Sequence, residues 1–267
     1  MKVTAKDIYS SIEAIREKAP VVHNITNYVV MNNTANALLA IGALPVMAHA
    51  EEEVEEMVNI ASALVINIGT LSKSWIYSMF KAIREAKKKG IPVILDPVGV
   101  GATSYRTWTA RELINEESPA IIRGNASEIM ALHDDKTMTK GVESAALAEN
   151  AIAMAQQLSK KYDCVVCVSG ATDYIIEGRQ IIKVVNGHQL MTKVTGLGCT
   201  ATALCGAFAA VEKNYFAATV QAMVVMGIAG EMAAEVAAGP GSLQMHFLDK
   251  LYCLTEDDIR KRLKIEG

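Results

Sequence analysis

One stretch of this sequence combines glycines, polar residues and a helix start in a pattern typical of anion binding. Residues 194–206 read VTGLGCTATALCG, in which Gly196 and Gly198 precede a long apolar run. The run predicts a buried helix, whose first N–H groups have no intrahelical partner and lie at the positive end of the helix dipole. Glycines have no side chain, so an anion can approach these N–H groups closely. The stretch predicts an anion hole for a phosphate or a phosphoryl transition state, although a helix entered through a glycine turn needs no ligand.

A carboxylate stands where an apolar strand ends. Asp96 follows the strand predicted for residues 92–95 and precedes a proline and two glycines. An Asp in this place can simply start a turn. Ligands of α/β folds bind at the carboxyl ends of strands, so Asp96 is equally a candidate for a metal or phosphate site.

A second polar group follows the strand predicted for residues 120–122. Arg123, Asn125 and Glu128 lie there, and the spacing of Asn125 and Glu128 is that of a capping box, which would be a structural role for Glu128. Mg²⁺ prefers carboxylates, water and phosphate oxygens as ligands. Asp96 and Glu128 could therefore share one Mg²⁺ through water, with Arg123 on a phosphate.

Polar side chains also gather after the strand predicted for residues 21–23. Asn24, Thr26 and Asn27 precede a predicted helix, and they are more than one helix cap needs, so capping and ligand binding both stay open. Met47 and Gly69 come at the ends of two further strands. Met47 is equally well explained as core filler.

The cysteines predict neither a disulfide framework nor a metal centre. Their number is odd, at five, and most lie in apolar surroundings. Cys164 and Cys167 have the spacing of a redox or zinc pair, but alternation along a strand sends their side chains to opposite faces. We expect reduced thiols.

Composition excludes several classes of function. The net charge is −3 and aromatic residues are 5%, so neither a basic footprint nor a base-stacking platform indicates nucleic-acid binding. Residues 1–20 have an amphipathic pattern without an apolar signal region, so we expect a cytoplasmic protein. The longest apolar run, residues 217–238, is interrupted by charges and glycines, which indicates a core helix rather than a membrane span.

Strands and helices alternate with short joints, and this pattern must position the polar groups. The predicted helices are 4–18, 29–41, 51–59, 72–89, 103–115 and 144–161, and the predicted strands are 21–23, 43–47, 64–68, 92–95, 120–122 and 164–168. A hairpin follows at 173–177 and 180–185, then two long helices at 199–212 and 215–238, a stop at 239–241, and two last helices within 242–264. Residues 133–136 read as a polar loop. We expect one α/β domain over residues 1–267, with a mostly parallel central sheet and helices on both faces.

With these residues assembled, the sequence resembles the hydroxyethylthiazole kinases of the ribokinase-like superfamily. Six stretches carry the resemblance, in the order of the family: HNITN at 23–27 with Val29, PVM at 45–47, NIGT at 67–70, DPVG at 96–99, RGNASE at 123–128 and TGLGCT at 195–200. Each stretch alone is weak, but six in order are a strong signal. The resemblance covers nearly the whole chain and implies a three-layer ribokinase-like sandwich.

The resemblance also implies an activity. Members of this family phosphorylate the hydroxyl of 4-methyl-5-(2-hydroxyethyl)thiazole with ATP and Mg²⁺ in thiamine salvage, and they assemble as homotrimers with the thiazole site between subunits. The implied roles are a thiazole pocket from Asn27, Val29, Met47, Gly69 and Gly196, Mg²⁺ and phosphate binding by Asp96 and Glu128, ATP contacts from Arg123, Asn125 and Ser169, and an anion hole from Gly196, Gly198 and Cys199.

Cys199 leaves the catalytic base open. Related sugar and vitamin kinases usually carry an Asp at this position, and the thiazole kinases share the Cys. A thiolate at a helix N-terminus has a lowered pKa and could accept the proton of the alcohol. In-line phosphoryl transfer has a loose transition state, so a strong base is optional.

Three other functions stay open on the sequence. One is a kinase for another small alcohol, such as hydroxymethylpyrimidine or pyridoxal. Another is a transferase or hydrolase with Cys199 as nucleophile, which needs a base such as His23, His49 or His188. The last is a nucleotide-binding sensor without catalysis.

Overall fold

One sheet of nine strands runs through the computed structural model, which describes residues 3–133 and 144–267. The strands are β1 (Val21–Ile25), β2 (Leu44–Val46), β3 (Ala63–Asn67), β4 (Val93–Asp96), β5 (Ile121–Asn125), β6 (Val165–Ser169), β7 (Asp173–Glu177), β8 (Gln180–Val184) and β9 (Ile265–Glu266). Their order in the sheet is β2-β1-β3-β4-β5-β6-β7-β8-β9. Pairing is parallel from β2 through β6 and antiparallel from β6 through β9. The expectation of a mostly parallel sheet ending in an antiparallel hairpin is confirmed.

Helices cover both faces of the sheet. They are α1 (Ala5–Lys18), α2 (Met31–Ile41), α3 (Val54–Ile60), α4 (Lys73–Lys89), α5 (Ser104–Glu116), α6 (Ala126–His133), α7 (Ser144–Tyr162), α8 (Leu197–Ala209), α9 (Tyr215–Ala234), α10 (Pro240–Cys253) and α11 (Glu256–Arg262), with a 3₁₀ helix at Gln189–Lys193. One apolar core joins the sheet to α1, α2 and α8–α11, and a second core joins it to α3–α7. The predicted three-layer α/β class is therefore confirmed.

The two cores explain the state of the paired cysteines. Cys164 and Cys167 are both buried free thiols, but Cys164 packs into the core with α3–α7 and Cys167 into the core on the opposite face. Alternation along β6 separates them, as predicted.

The long apolar helix α9 lies inside the protein. It is long and apolar enough to cross a membrane, but 89% of its apolar stretch is buried within the fold. The interpretation as a core helix agrees with this burial.

Two sequence expectations about the C-terminal part were incomplete. Gly239-Pro240-Gly241 is not only a stop, because Pro240 is the first residue of α10. A proline fits there, since its missing N–H has no intrahelical acceptor at this position. Strand β9 and the 3₁₀ helix were not expected. Residues 134–136 of the predicted polar loop lie outside the described residues.

Candidate active site

A row of hydrogen-bonded polar side chains crosses the carboxyl ends of three neighbouring strands. Asn27, just after β1, donates from Nδ2 to Oδ1 of Asn67 at 2.8 Å. Asn67 ends β3 and donates from Nδ2 to Oδ2 of Asp96 at 2.7 Å, because parallel pairing sets Asn67 opposite Asp96. Thr202 on α8 donates to the same Oδ2 at 2.9 Å. Since each group has a specific partner, the row holds the Asp96 carboxylate in one orientation.

Asp96 is a buried carboxylate, with 1% of its surface exposed. Burial raises the pKa of Asp96 to about 6, against the opposing effect of the Arg123 guanidinium, and the charge of Glu128 raises it further. A buried acid influenced by both a cation and a second carboxylate is the type of group found at functional sites.

Glu128 forms the predicted capping box. Its Oε2 accepts from the N–H of Asn125 at 2.8 Å, and Oδ1 of Asn125 accepts from the N–H of Glu128 at 2.9 Å. The other oxygen, Oε1, accepts from the N–H of Gly99 at 2.8 Å. The structural role of Glu128 is thus real, while each carboxylate oxygen keeps a further lone pair for a ligand. The ATP contact implied for Asn125 stays a prediction.

The pair of carboxylates fits the requirements of Mg²⁺. Within residues 3–133 and 144–267, both hydrogen bonds to the side chain of Asp96 go to Oδ2, which leaves Oδ1 for a ligand. The same part of the chain holds no cluster of three or more His, Cys, Asp or Glu side chains suited to a metal. Mg²⁺ is usually held by one or two carboxylates together with water and substrate phosphates, so two carboxylates suffice. Their assignment to Mg²⁺ stays a prediction.

Arg123 presents a half-buried cation whose Nε atom is buried. Its Nε is buried and lacks a hydrogen-bond partner among the described residues. Burial is the largest influence and disfavours the charged form, but Asp96, Asp173 and two neighbouring cysteines together outweigh it and raise the pKa of Arg123. A Cβ on Gly198 would lie 3.0 Å from Nη1, so the guanidinium lies against the start of α8. An unsatisfied buried donor at this place is suited to an anion.

The predicted glycine turn enters α8 as expected. Gly196 is the residue before the helix and has φ 85°, the left-handed region that favours glycine. The first intrahelical bond runs from the N–H of Thr200 to the carbonyl of Gly196 at 2.8 Å. The N–H groups of Leu197, Gly198 and Cys199 therefore precede the hydrogen-bonded helix, which is the geometry of an anion hole. Anion binding there stays a prediction.

A cavity of about 550 Å³ opens beside Arg123 and Gly198. Ser169, at the end of β6, lines it and donates from Oγ to the carbonyl of Gly124 at 3.2 Å. Asp173 is a further acid in its wall, and burial raises the pKa of Asp173 to about 6. The lining also contains a set of methionines, namely Met191, Met223 and Met226. The size and mixed lining suit an organic ligand with an anionic group.

Cys199 contradicts one expectation. It is half-buried, and its Sγ accepts from Nδ2 of Asn27 at 3.5 Å. Burial, helped by the charge of Asp96, raises the pKa of Cys199 to about 12. The prediction of a thiol pKa lowered by the helix N-terminus was therefore wrong, because the loss of solvation and the nearby carboxylate outweigh the helix dipole.

Two of the three histidines considered as bases, His23 and His188, have other hydrogen-bond partners, and His49 packs its ring against Trp75. Nε2 of His23 pairs with the carbonyl of Ala48 at 2.7 Å, and burial lowers the pKa of His23. Nδ1 of His188 accepts from the N–H of Leu190 at 3.2 Å. In the described part of the chain no hydrogen bond joins His23, His49 or His188 to Cys199. The nucleophile–base pair required for a cysteine transferase is absent from that part of the chain.

Two of the other predicted pocket residues, Gly69 and Val29, lie beside Asn27. A Cβ on Gly69 would lie 2.6 Å from Nδ2 of Asn27, so glycine is needed for this approach. Val29 is 61% exposed, and Met47 follows the edge strand β2 and is half-buried. Helix α2 begins after Val30 without a side-chain cap, which makes the capping explanation for Asn24, Thr26 and Asn27 wrong.

Several side chains of this region were missed by sequence reasoning. Asn67 and Thr202 complete the row, and Asn67 carried a signal as the polar end of a buried strand. Thr202 lies within an apolar helix and carried none. Tyr28, His49 and Trp75 form an aromatic cluster, with ring centroids 4.7 Å apart for Tyr28–Trp75 and 4.3 Å apart for His49–Trp75.

Comparison with known proteins decides the family. Residues 12–257 match the Hydroxyethylthiazole kinase family. The chain belongs to this family. A hydroxyethylthiazole kinase from Syntrophus aciditrophicus is 62% identical over 99% of this chain and 98% of the relative, and one from Leptospira biflexa is 57% identical over 97% of each. The resemblance carried by the six stretches is confirmed.

Solved structures agree with membership of the hydroxyethylthiazole kinase family. The structure of a hydroxyethylthiazole kinase protein from Pyrococcus horikoshii has a TM-score of 0.90 and 45% identity, covering 98% of both chains. A pyridoxal kinase from Staphylococcus aureus has a TM-score of 0.63 at 15% identity, over 79% of this chain and 87% of its own. At that identity the pyridoxal kinase shows the shared fold alone.

Proposed function

We propose that this protein transfers the γ-phosphoryl group of ATP to the hydroxyl of 4-methyl-5-(2-hydroxyethyl)thiazole, as a step of thiamine salvage in the cytoplasm. The observation that carries the proposal is the position of Arg123. Its guanidinium lies against the open start of α8 at the wall of the cavity, and it is near enough to Asp96 for each charge to shift the pKa of the other. Family membership supplies the choice of alcohol and nucleotide.

The nucleotide would occupy the cavity of about 550 Å³. Arg123, Ser169 and Asn125 would contact ATP, and the N–H groups after Gly196 would face the γ-phosphate. Negative charge is stabilised there by fixed donors that need no reorganisation during transfer. The buried and unpartnered Nε of Arg123 supports this placement.

The alcohol would lie on the other side of Asp96, against Asn27, Val29, Met47, Gly69 and Gly196. Tyr28 and Val29 are apolar side chains exposed by 65% and 61% beside this group. Exposed apolar side chains next to a binding site support a subunit boundary. The number of subunits comes from the family resemblance, and on that basis we propose a homotrimer with the thiazole site between subunits.

Mg²⁺ would be held by Asp96 and Glu128. When bound, the ion supplies positive charge that neutralises the phosphate oxygens during transfer. The protein's own part is to orient these carboxylates, through Asn67 and Thr202 for Asp96 and through the N–H groups of Gly99 and Asn125 for Glu128.

Transfer would be direct and in line, without a covalent enzyme intermediate. A thiol whose pKa lies at about 12 stays protonated near neutral pH, so Cys199 positions the alcohol and does not deprotonate it. A loose transition state tolerates this, because the alcohol proton leaves late, to water or to a phosphoryl oxygen. Arg123 and the N–H groups of α8 stabilise the charge of the moving phosphoryl group.

The deciding experiment is an ADP-release assay with ATP, Mg²⁺ and a panel of alcohols. Hydroxyethylthiazole, hydroxymethylpyrimidine and pyridoxal are compared, with EDTA as the metal control. Turnover confined to the thiazole alcohol and abolished by EDTA is the expected result. Turnover of another member moves the substrate assignment to that alcohol. ATP binding without turnover of any alcohol supports the sensor instead.

Sedimentation of the purified protein tests the assembly. A species of three chains is expected, with thiazole binding lost when Val29→Glu places a charge on the exposed surface beside Asn27. A monomer that turns over the thiazole alcohol at full rate contradicts the shared site.

A further inference from the structure

Arg106 joins two loops of the site and has no role among those assigned above. It lies in the first turn of α5, and its side chain is half-buried. Nη1 donates to the carbonyl of Ile68 at 2.9 Å and to the carbonyl of Val98 at 2.6 Å. Nη2 donates to the carbonyl of Gly69 at 2.7 Å. One guanidinium thus holds carbonyls that follow two different strands, β3 and β4.

The two loops serve opposite sides of the proposed reaction. Ile68 and Gly69 belong to the acceptor side, where Gly69 makes room for Asn27. Val98 leads to Gly99, whose N–H donates to Oε1 of Glu128 at 2.8 Å. The guanidinium therefore links the acceptor pocket with the position of the second carboxylate.

Asp96 lies within the same linkage. Its backbone carbonyl accepts from the N–H of Ile68 at 3.3 Å and from the N–H of Val98 at 2.9 Å. Arg106 bonds the carbonyls of those same two residues. Movement of the Arg106 side chain would consequently shift both loops that flank Asp96.

The chemistry of the side chain explains why it is an arginine. A guanidinium is planar and presents several donors in a fixed fork, whereas an ammonium is a compact point charge. Three carbonyl acceptors from two loops match such a fork. Gly99 has φ +73°, and a Cβ there would lie 3.3 Å from Cδ and Nη1 of Arg106, so the β4 loop closes tightly on the side chain.

We propose that Arg106 is a positioning residue that fixes the acceptor pocket relative to the Asp96–Glu128 carboxylate pair. The inference rests on the proposed function, because that function assigns the loop after β3 to alcohol binding and the loop after β4 to metal and phosphate binding. A misplacement on the order of 1 Å between reacting groups can cost roughly 10²-fold in rate. Loss of Arg106 should therefore act on kcat, while ATP binding in the separate cavity changes little.

The test compares Arg106→Met with Arg111→Met. Arg111 is on the same helix and also donates to backbone carbonyls, those of Leu132 and Ala131, at 3.1 and 2.9 Å. The two variants lose similar bonds, so a general loss of stability should appear in both. Arg106→Met is expected to lower kcat at least tenfold, which is the size of effect expected from misaligned reacting groups. Its KM for ATP should stay within about threefold of the parent value. Arg111→Met should keep kcat within about threefold, because it bonds neither loop.

The conservative variant keeps the test informative if Arg106→Met does not fold. Arg106→Lys retains the charge but lacks the fork, and its kcat should still fall below that of Arg111→Met. Equal kcat for the Arg106 and Arg111 variants, or a loss seen only in KM for ATP, overturns the positioning role.

Hydrogen exchange separates this inference from the proposed function. Amides of residues 68–70 and 98–101 should exchange faster together in Arg106→Met and not in Arg111→Met, whichever alcohol is the substrate. If the parent protein has no activity on the thiazole alcohol but both loops exchange faster, the proposed function fails and the linkage stands. If only one loop responds, the linkage fails whatever the activity.

Discussion

The two halves of the site are built differently. Around Asp96, each polar group has a specific partner, in the row from Asn27 through Asn67 to the carboxylate and on to Thr202. Around Arg123, the cavity has a buried donor with no partner in the described part of the chain, and its wall contains three methionines.

This difference indicates where precision is needed. Hydrogen-bonded rows hold reacting groups in one geometry, and that is required on the side where alcohol and phosphate must align. Methionine side chains are flexible and adapt to ligands of different shape, and an unsatisfied donor can bind an anion. Both properties suit the side of the site where a nucleotide binds and leaves. Substitutions should therefore be costly in the row and mild in the cavity wall.

The largest effect is expected for Asp96→Asn. The change removes the negative charge beside Arg123 and one of the proposed metal ligands, while keeping the size of the side chain. We expect kcat to fall by about 10²–10³-fold, the scale on which a lost electrostatic contact affects an active site. Steady-state kinetics at saturating ATP and Mg²⁺ measure it, with thermal unfolding to show that the fold persists. A loss below about tenfold contradicts a central role for this carboxylate.

The next effect is expected for Asn67→Leu, which interrupts the row between Asn27 and Asp96. Both neighbours lose a partner in a buried place, which costs about 1–3 kcal/mol of unfolding free energy for an unsatisfied group. Denaturant unfolding measures this loss. We also expect kcat to fall roughly tenfold, because Asp96 is no longer held in one orientation. An active and fully stable variant would show that the row is dispensable.

A smaller effect is expected for Cys199→Ser. A general base contributes roughly 10²–10⁴-fold, so kcat should fall by less than about tenfold if the thiol only positions the alcohol. With a pKa at about 12, about one thiol in ten thousand is ionised at pH 8. Iodoacetamide should therefore modify the exposed Cys253 before Cys199, as peptide mass spectrometry can establish. A 10³-fold lower kcat in Cys199→Ser would show instead that Cys199 acts as the base.

The smallest effect is expected for Met226→Leu in the cavity wall. This swap conserves volume and usually costs less than about 1.5 kcal/mol. We expect KM for ATP to change by less than about threefold and kcat to stay the same. Titration of initial rates with ATP measures both values. An effect as large as that of Asn67→Leu would remove the distinction between the two halves of the site.

Much of the site could be predicted because it depends on local patterns. The alternation of strands and helices places Asn27, Asp96 and Arg123 at or near the carboxyl ends of strands, and those ends share one edge of a parallel sheet. The structure extends β5 through Arg123 to Asn125, beyond the strand predicted for residues 120–122. The capping box of Asn125 and Glu128 needs only a spacing of three residues, and it formed as expected.

Other features depended on contacts between distant parts of the chain. Thr202 is 106 residues from Asp96, and Arg106 is 38 residues from Ile68. Because these partners are so far apart in the sequence, no local pattern predicted the Thr202–Asp96 or the Arg106–Ile68 hydrogen bond. The capping explanation for Asn27 was wrong because α2 begins only at Met31. Oδ1 of Asn27 accepts from the N–H of Val29 in the preceding turn, while Nδ2 donates across the sheet to Asn67, 40 residues away.

The sequence by itself determined the layered fold, the edge that carries the polar groups and the family. These three properties depend on hydrophobic periodicity, on the backbone preferences of glycine and proline, and on short motifs, all of which can be read without knowledge of long-range contacts. Tertiary structure alone decided the ionisation of Cys199, because a helix N-terminus lowers a thiol pKa only where solvent or cations support the thiolate. Packing against Asn27 and near Asp96 removes that support, and burial then sets the protonation state.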